Sequence, residues 1–516
     1  MRVFGCLLFT TLLSSSFGGV FADDGSAPPA TRVTPLVPPE DIWHPSAVPD
    51  RIVLSWERDP ATSMAVTWRT DTTVRQAVAE FALAEDGPKF VEKTRRVDAI
   101  SESLDTDLGP SLRHSVIFGD LQPATQYVYR VGDGTNWSEW AGFQSAASTA
   151  EPFSFVYFGD AQNDLKSHWS RVVRRAFRDA PEASFFLHAG DLVNRSESDA
   201  EWGEWFYAGG FIHRSTPCVA TPGNHEFGRV APESDERRLS IHWRPGFTFP
   251  QNGPDGLKES TYWFDYQGTR FISLNSTEKH EVQAKWLDEV LAQNTARWTV
   301  VTFHHPVYSS KAGRDNPHLR RLWQPVIDRH RVDLVLQGHD HTYARSQLMT
   351  SESNLTTGVT HHNPETGTVY VVSVSGPKMY DLGRRPFMRR AAEDTQLFQI
   401  ITIDGWQMKY EARTATGRLY DGFILRKDRQ GRKTLIEQIP GTPENRRPEK
   451  EPEEEQSPEQ LVREWMQLDK NKDRKLTRDE LPVGLRVYFP EVDVNKDGVC
   501  TFDELLAAAR SVTEAR

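Results

Sequence analysis

The stretch Phe153-Ser-Phe-Val-Tyr-Phe-Gly-Asp160 joins an apolar run to a glycine and a carboxylate. Four later apolar runs also end in polar groups, at Gly190-Asp191, Gly223-Asn224-His225-Glu226, His304-His305 and Gly338-His339-Asp340-His341. Helix-like stretches such as His168 to Ala180 separate the runs. This alternation predicts an α/β domain with mixed sheets and flanking helices. In such sheets, polar groups at the carboxyl ends of strands meet at one edge.

The side chains at these strand ends have the chemistry of a metal site. Carboxylate, amide and imidazole groups together suit Zn, Mn or Fe. A pair of divalent ions needs a bridging carboxylate, and Asp191 is placed to provide it. Paired metals clamp the attacking and leaving oxygens of a phosphoryl transfer and acidify bound water. A lone Gly-Asp or His is usually structural, but five such segments in series predict a binuclear centre.

Residues 51–148 follow a different pattern, in which short runs alternate apolar and polar side chains between turns. These runs are Arg51 to Trp56, Ser63 to Trp68, Ser115 to Phe118 and Gln126 to Arg130. Such spacing predicts a β-sandwich. The sandwich contains no catalytic cluster, so the predicted chemistry lies in the central domain, residues 151–438.

Taken as a set, the five motifs resemble those of the calcineurin-like metallophosphoesterase superfamily. Because a sandwich precedes them, the chain resembles the purple acid phosphatases, whose amino-terminal domain is fibronectin-III-like. The resemblance covers about residues 51–428. It implies an acid-phosphatase-like enzyme in which a metal-bound hydroxide hydrolyses a phosphate ester at two transition-type divalent metals (Fe, Zn or Mn).

The resemblance also implies six metal ligands and two further catalytic residues. The ligands would be Asp160 and His341 for the first metal, Asp191 for both, and Asn224, His304 and His339 for the second. His225 would contact the phosphoryl group or protonate the leaving oxygen. Glu226 would orient His225, since a neighbouring carboxylate fixes the tautomer of an imidazole and raises its basicity.

Two positions depart from the family pattern. Purple acid phosphatases carry a tyrosine, a ligand of ferric iron, three residues after the bridging aspartate, where this chain has Asn194. Many other superfamily members place a histidine two residues after the first aspartate, where this chain has Gln162. Gln162 or Asn194 would supply an amide oxygen there, with water as the alternative. A neutral ligand favours a divalent ion, and the violet tyrosinate colour is expected to be absent.

Residues 458–514 resemble a pair of EF-hands. Two loops repeat the Ca²⁺-ligand spacing; they are Asp469, Asn471, Asp473, Lys475, Thr477 and Glu480, then Asp493, Asn495, Asp497, Val499, Thr501 and Glu504. The second loop has Gly498 at its sharp turn, whereas the first has Arg474, which predicts weaker binding. Leu476 and Cys500 are expected to pair between the loops. The alternative is an acidic disordered tail.

The flanking segments predict export. Residues 1–22 have the charged start, short apolar run and small cleavage residues of a signal peptide, so a secreted or periplasmic location is expected. Residues 23–50 form a Pro-rich, extended leader, and residues 440–457 form a disordered linker. No later segment is apolar enough to span a bilayer.

Composition limits the classes of function. The net charge of −11 argues against nucleic-acid binding. Cys218 and Cys500 remain after the leader, too far apart in sequence to indicate a disulfide framework, and Cys218 is expected in a buried strand. No feature indicates an oligomeric state.

The leading function is phosphomonoester hydrolysis. A phosphodiesterase or nucleotide pyrophosphatase on the same site is an alternative, because the walls of the pocket decide the size of the leaving group. A calcium-dependent binding protein with a degenerate catalytic core is another, since the first metal lacks the usual Tyr and His.

Overall fold

The computed structural model describes residues 37–231, 234, 236–352, 362–447, 457–481 and 489–514. The chain divides into two compact units, Val37–Arg447 and a second unit that includes Pro448–Arg516. The predicted signal peptide lies outside the described residues. None of the described helices is long and apolar enough to cross a membrane.

The predicted leader is not extended throughout its described part. Pro39–Ile42 is a short helix that Pro38 precedes. Trp43 then packs edge-on against Tyr207, with ring centroids 6.1 Å apart. The proline bias of this segment suited a helix start, where a missing N–H costs nothing.

Two four-stranded antiparallel sheets form the predicted sandwich between residues 50 and 144. One sheet has the order β1-β2-β6-β5 and the other β4-β3-β7-β8. The strands are β1 Asp50–Ser55, β2 Met64–Thr70, β3 Val78–Leu83, β4 Arg95–Asp98, β5 Ile100–Thr106, β6 Gly109–Phe118, β7 Gln126–Gly132 and β8 Ala141–Gln144. Aromatic rings such as Phe81 and Phe118, with centroids 4.5 Å apart, fill the space between the sheets.

Two seven-stranded mixed sheets form the central domain, as the α/β pattern predicted. The first has the order β11-β10-β9-β21-β22-β23-β24 and the second β14-β15-β16-β17-β19-β18-β20. Their strands are β9 Phe153–Phe158, β10 Phe186–His188, β11 Cys218–Ala220, β14 Tyr262–Tyr266, β15 Thr269–Ser273, β16 Trp298–Thr302, β17 Leu334–Gln337, β18 Tyr343–Met349, β19 Thr368–Val372, β20 Arg390–Ala392, β21 Leu397–Asp404, β22 Gln407–Thr414, β23 Leu419–Lys427 and β24 Lys433–Glu437. A small hairpin pairs β12 Phe227–Arg229 with β13 Arg237–Leu239.

Helices flank the two sheets. The described α-helices are Ser170–Asp179, Asp199–Gly209, Phe211–Ser215, Trp243–Gly246, His280–Ala292 and Pro317–Arg329. A π-turn, Leu165–Trp169, begins the first of them, so the helix predicted from His168 starts earlier and in a wider coil. Trp202 and Trp205 on the second helix are fully buried, which places this tryptophan-rich segment in the core.

The predicted linker begins later than expected. The Asn445 amide donates to Tyr420 Oη at 2.9 Å, and Arg390 donates to the Thr442 carbonyl at 2.6 Å. Residues 440–447 are polar, yet these hydrogen bonds replace the apolar burial on which the linker prediction was based. Residues 448–456 lie outside the described residues.

The second unit is small and helical. Its elements are Pro458–Trp465, the 3₁₀ turn Met466–Leu468, β25 Lys475–Thr477, Phe489–Val492, β26 Val499–Thr501 and Phe502–Glu514. β25 and β26 are antiparallel, with Leu476 opposite Cys500. Both of these side chains are buried.

Candidate metal centre

The topology brings the five motifs together. Asp160, Asp191 and Asn224 follow β9, β10 and β11, which are parallel neighbours in the first sheet. His304 follows β16, and the Gly338–His341 turn follows β17, its parallel neighbour in the second sheet. The carboxyl ends of strands from two facing sheets therefore supply the site from both sides.

The His304 imidazole lies at the centre of the cluster. His304 Nε2 lies 3.2 Å from Asp191 Oδ2 and 3.2 Å from Asn224 Oδ1. It lies 3.1 Å from His339 Nδ1. Ligand atoms of Asp160, Asp191 and His304 all fall within 4.8 Å of one another. Four of the six predicted ligands thus surround one point, and the carboxylate of Asp160 lies beside it.

His341 completes the group on the side of Asp160. Its Nε2 lies 3.6 Å from Asp160 Oδ1, and its Nδ1 donates to the Lys378 carbonyl at 2.9 Å. His304 Nδ1 likewise donates to the Ala189 carbonyl at 2.9 Å. These outer hydrogen bonds fix both tautomers and leave each Nε2 lone pair directed into the site, as metal ligation requires.

The backbone is strained at the site. Asp160, Asp191, His339 and His341 all have positive φ, at 34°, 52°, 75° and 49°. Left-handed backbone at a non-glycine residue costs about 1–3 kcal/mol and is typical of functional sites. Glycine permits the close approach of the loops, because a Cβ at Gly190 would lie 2.8 Å from His304 Nδ1.

Glu226 does not orient His225 as expected. Its buried carboxylate accepts the backbone N–H groups of Asp191 and Leu192 at 2.8 Å and of Gly223 at 2.7 Å. His225 Nδ1 instead donates to the Asn194 carbonyl at 2.6 Å. The role of Glu226 is therefore to hold the Asp191 loop, and a backbone carbonyl fixes the His225 ring.

Gln162 and Asn194 differ in where they lie. The Gln162 side chain is fully buried, and its Nε2 lies 3.2 Å from Asp191 Oδ2 and 2.9 Å from His341 Nε2. Its Oε1 is buried without a hydrogen-bond partner. Asn194 contacts the site through its backbone carbonyl. Of the two, the structure brings the amide of Gln162 among the predicted ligands.

The electrostatics of the cluster call for a cation. Burial raises the pKa of Asp160, and the nearby Asp191 carboxylate raises it further. Burial opposes protonation of His304, yet Asp191 outweighs it and raises the pKa of His304 to about 9. Burial lowers the pKa of His341 to about 4, so this imidazole is neutral and free to ligate near neutral pH. Two buried carboxylates beside neutral imidazoles, with one buried amide oxygen unpaired, fit a divalent metal pair.

An open cavity of about 390 Å³ adjoins this cluster at Asn224. His280, His305 and His318 also line it. His305 Nδ1 hydrogen-bonds with Ser276 Oγ at 2.9 Å, and its ring lies 4.2 Å from that of His339. Of the aromatic residues considered for the pocket, Tyr308 and Tyr343 are fully buried in the core instead.

Asp340 and His280 were missed from the sequence. Asp340 lies between two predicted ligands, but its side chain points away and accepts from Ser309 Oγ, Ser310 N and Arg314 Nη1 at 2.7, 2.6 and 3.0 Å. Its place inside the Gly-His-Asp-His motif was the available signal. His280 begins a helix far from any motif, and no local pattern marked it.

Comparisons with known proteins agree with this geometry. A model of the calcineurin-like phosphoesterase family matches residues 116–343, and a model of the purple acid phosphatase N-terminal domain matches residues 49–145. The fold and the site define a phosphoester hydrolase. The chain carries a calcineurin-like metallophosphoesterase domain behind a purple acid phosphatase N-terminal domain.

Similar proteins include acid phosphatase type 7 of Mus musculus, 28% identical over 343 residues, covering 58% of this chain and 72% of that protein. The Fe(3+)-Zn(2+) purple acid phosphatase 12 of Arabidopsis thaliana is 24% identical over 287 residues, covering 51% and 59%. The purple acid phosphatase PPD1 from yellow lupin seeds has a similar fold, with a TM-score of 0.64, 18% identity and 75% coverage of each chain.

Proposed function

We propose that the protein is a binuclear, acid-phosphatase-like phosphomonoesterase. The observation that carries the proposal is the convergence on His304 Nε2, where Asp191, Asn224 and His339 place ligand atoms 3.1–3.2 Å away. A metal pair there would polarise the phosphoryl group and acidify water, which is the chemistry of phosphate ester hydrolysis.

The six side chains divide between two metal positions in this proposal. Asp160 and His341 would hold the first metal, Asn224, His304 and His339 the second, and Asp191 both. Glu226 keeps Asp191 in place through the backbone N–H groups that it accepts. These residues supply positioning and charge before substrate arrives, so little reorganisation is needed in the transition state.

His225 would act on the substrate. Because its Nδ1–H donates to the Asn194 carbonyl, its Nε2 is the nitrogen left to face the phosphoryl group or the leaving oxygen. Its backbone N–H donates to Asp191 Oδ1 at 3.0 Å, which ties its position to the bridging carboxylate. A protonated Nε2 would give its proton to the leaving oxygen.

Gln162 would complete the first metal site in place of the missing tyrosine. Rotating the terminal amide by half a turn exchanges its nitrogen and oxygen, and that rotation directs the unpaired Oε1 toward Asp191 and His341. A neutral amide favours a divalent ion over ferric iron. The Arabidopsis relative is named for Fe(3+) and Zn(2+), so this chain would differ from it at the first metal.

Purified metal-loaded protein is therefore expected to be colourless in the violet region, because Asn194 and Gln162 cannot give a tyrosinate band. An absorption spectrum and a metal analysis of the same sample check this. A strong visible band in a sample that contains iron would contradict the proposed first-metal site.

A matched pair of substrates tests the reaction itself. p-Nitrophenyl phosphate is expected to be hydrolysed faster than bis(p-nitrophenyl) phosphate, since the two release the same leaving group. A faster diester would favour the phosphodiesterase alternative. Absence of both hydrolysis and bound transition metal would favour the calcium-dependent binding protein.

We also propose that the second unit is an EF-hand pair that binds Ca²⁺. Glu480 accepts the backbone N–H groups of Lys470 and Thr477 at 3.1 and 2.9 Å, so its carboxylate closes the first loop. Gly498 and Arg474 take the positive φ of the sharp turn, at 86° and 65°. A non-glycine residue is strained there, which supports weaker binding by the first loop.

In the full chain, Glu504→Gln is expected to weaken Ca²⁺ binding by roughly tenfold or more, because the last loop position supplies two oxygens. Isothermal titration calorimetry measures the change. Glu365→Gln, an exposed residue of the other unit, is the control. Equal Ca²⁺ affinity in both variants would reject the site.

Export is proposed from the predicted signal peptide. Amino-terminal sequencing of the mature protein is expected to begin near Asp23.

A further inference from the structure

A cationic group of side chains lies beside the proposed metal centre, on the side of His341. The Tyr380 ring lies 4.6 Å from the His341 ring. Lys311 Nζ lies 4.3 Å from the centroid of the Tyr380 ring, and Lys378 Nζ lies 5.4 Å from it. We define this group, Lys311, Lys378 and Tyr380, as the lysine wall.

The lysine wall is fixed to the metal-binding turn. The Lys311 N–H donates to Asp340 Oδ2 at 3.2 Å, and Asp340 lies between His339 and His341. The Lys378 carbonyl accepts from His341 Nδ1. Each lysine is therefore tied through its own backbone to the motif that holds the metals, so the wall keeps its place relative to the reaction centre.

The two ammonium groups have no acidic partner. Among the described residues, no carboxylate lies within 4 Å of Lys311 Nζ or Lys378 Nζ. Neighbouring acids are already engaged, since Asp340 pairs with Arg314 and Asp381 with Arg447. Both lysines are half-buried, so an anion between them would be less screened than on an open surface.

We propose that the lysine wall binds a second anionic group of the substrate. The preferred substrate class is then a small phosphate monoester with a second phosphate or a carboxylate near the scissile phosphoryl group. The wall uses cation–π contacts with Tyr380 to hold the two ammonium groups, which lowers the ordering cost of binding. This inference rests on the proposed phosphomonoesterase function.

Three small esters test the inference on the full, metal-loaded protein. They are 2-hydroxyethyl phosphate, phosphoglycolate and ethane-1,2-diol bisphosphate, which differ in having no second anion, a carboxylate or a phosphate. The wild type is expected to show a KM roughly tenfold lower for at least one anionic ester than for the neutral ester. The better anionic ester identifies the group that the wall selects.

The double variant Lys311→Gln, Lys378→Gln is expected to remove that difference in KM, while kcat for 2-hydroxyethyl phosphate stays the same. Lys89→Gln on the sandwich domain, an exposed lysine, is the matched control. Inhibition by pyrophosphate should weaken in the double variant more than inhibition by inorganic phosphate, a readout that needs no anionic substrate.

The outcomes separate the two proposals. If the wild type hydrolyses all three esters with equal KM, or if the double variant keeps the preference, the lysine wall is not a substrate site although the enzyme is a phosphomonoesterase. If the wild type hydrolyses no monoester, the proposed function fails first, and the inference fails with it.

Discussion

Asp191→Ala is expected to lose bound transition metal and to lower kcat/KM for p-nitrophenyl phosphate by on the order of a thousandfold or more. The carboxylate contacts His304 Nε2 at 3.2 Å and receives the His225 N–H at 3.0 Å. No other side chain is placed to neutralise both metal positions. Metal analysis and steady-state kinetics on the same preparation measure the two losses.

The fold should survive this substitution. The backbone N–H of residue 191 bonds to Glu226, and this contact does not depend on the aspartate side chain. A wild-type circular dichroism spectrum would show that the losses come from the site itself. Asp404→Ala, an exposed aspartate in a turn, is the control and should keep full activity. Wild-type metal content in Asp191→Ala would reject the bridging assignment.

Asp199→Ala is expected to lower the free energy of unfolding by about 3–5 kcal/mol, because it leaves buried cations without a partner. Asp199 begins a helix of the central domain and binds three guanidinium groups of the sandwich. Arg51 Nη1, Arg69 Nη1 and Arg113 Nη2 lie 2.6, 3.2 and 3.5 Å from its carboxylate oxygens. The side chains of all four residues are 2–3% exposed.

Asp265→Ala gives the matched control for a surface pair. Asp265 Oδ2 lies 2.8 Å from Arg270 Nη2, but its side chain is 48% exposed, so solvent screens the interaction. Its loss should cost about 0.2–1 kcal/mol. Chemical denaturation of the two variants measures the difference. Equal free energies of unfolding would show that the buried group does not join the domains energetically.

Acid should weaken the same contact. Burial raises the pKa of Asp199, but Arg51 and the other two arginines outweigh it and lower the pKa to about 2. Because the folded-state pKa lies below that of an unfolded aspartate, the contribution is complete near neutral pH. It is lost as pH falls toward about 2.

Separating the second unit should leave hydrolysis intact. The chain must be cut after Arg447, because Arg447 and Asn445 hydrogen-bond with the central domain. A protein ending at residue 447 is expected to keep wild-type kcat/KM, since the two units have separate cores. A large loss of kcat/KM in that protein would argue against this independence.

Local patterning was enough to predict much of the fold. The strand Phe153–Phe158 and the hairpin around Gln267-Gly268 lie where alternation and turn chemistry indicated. Strand ends such as Phe186–His188 are shorter than the apolar run that predicted them. Apolar side chains continue past the last ladder hydrogen bond, because the loops that follow are also buried.

The sequence by itself determined which residue types end each strand, and so the chemistry of the site. The tertiary structure alone decided that Glu226 binds the Asp191 loop, that the Gln162 amide faces His341, and that Lys311 and Lys378 share one ring. The reason is that a strand end is a local property of the chain. The partner of a buried polar group depends on segments that only the packing of two sheets brings within hydrogen-bonding distance.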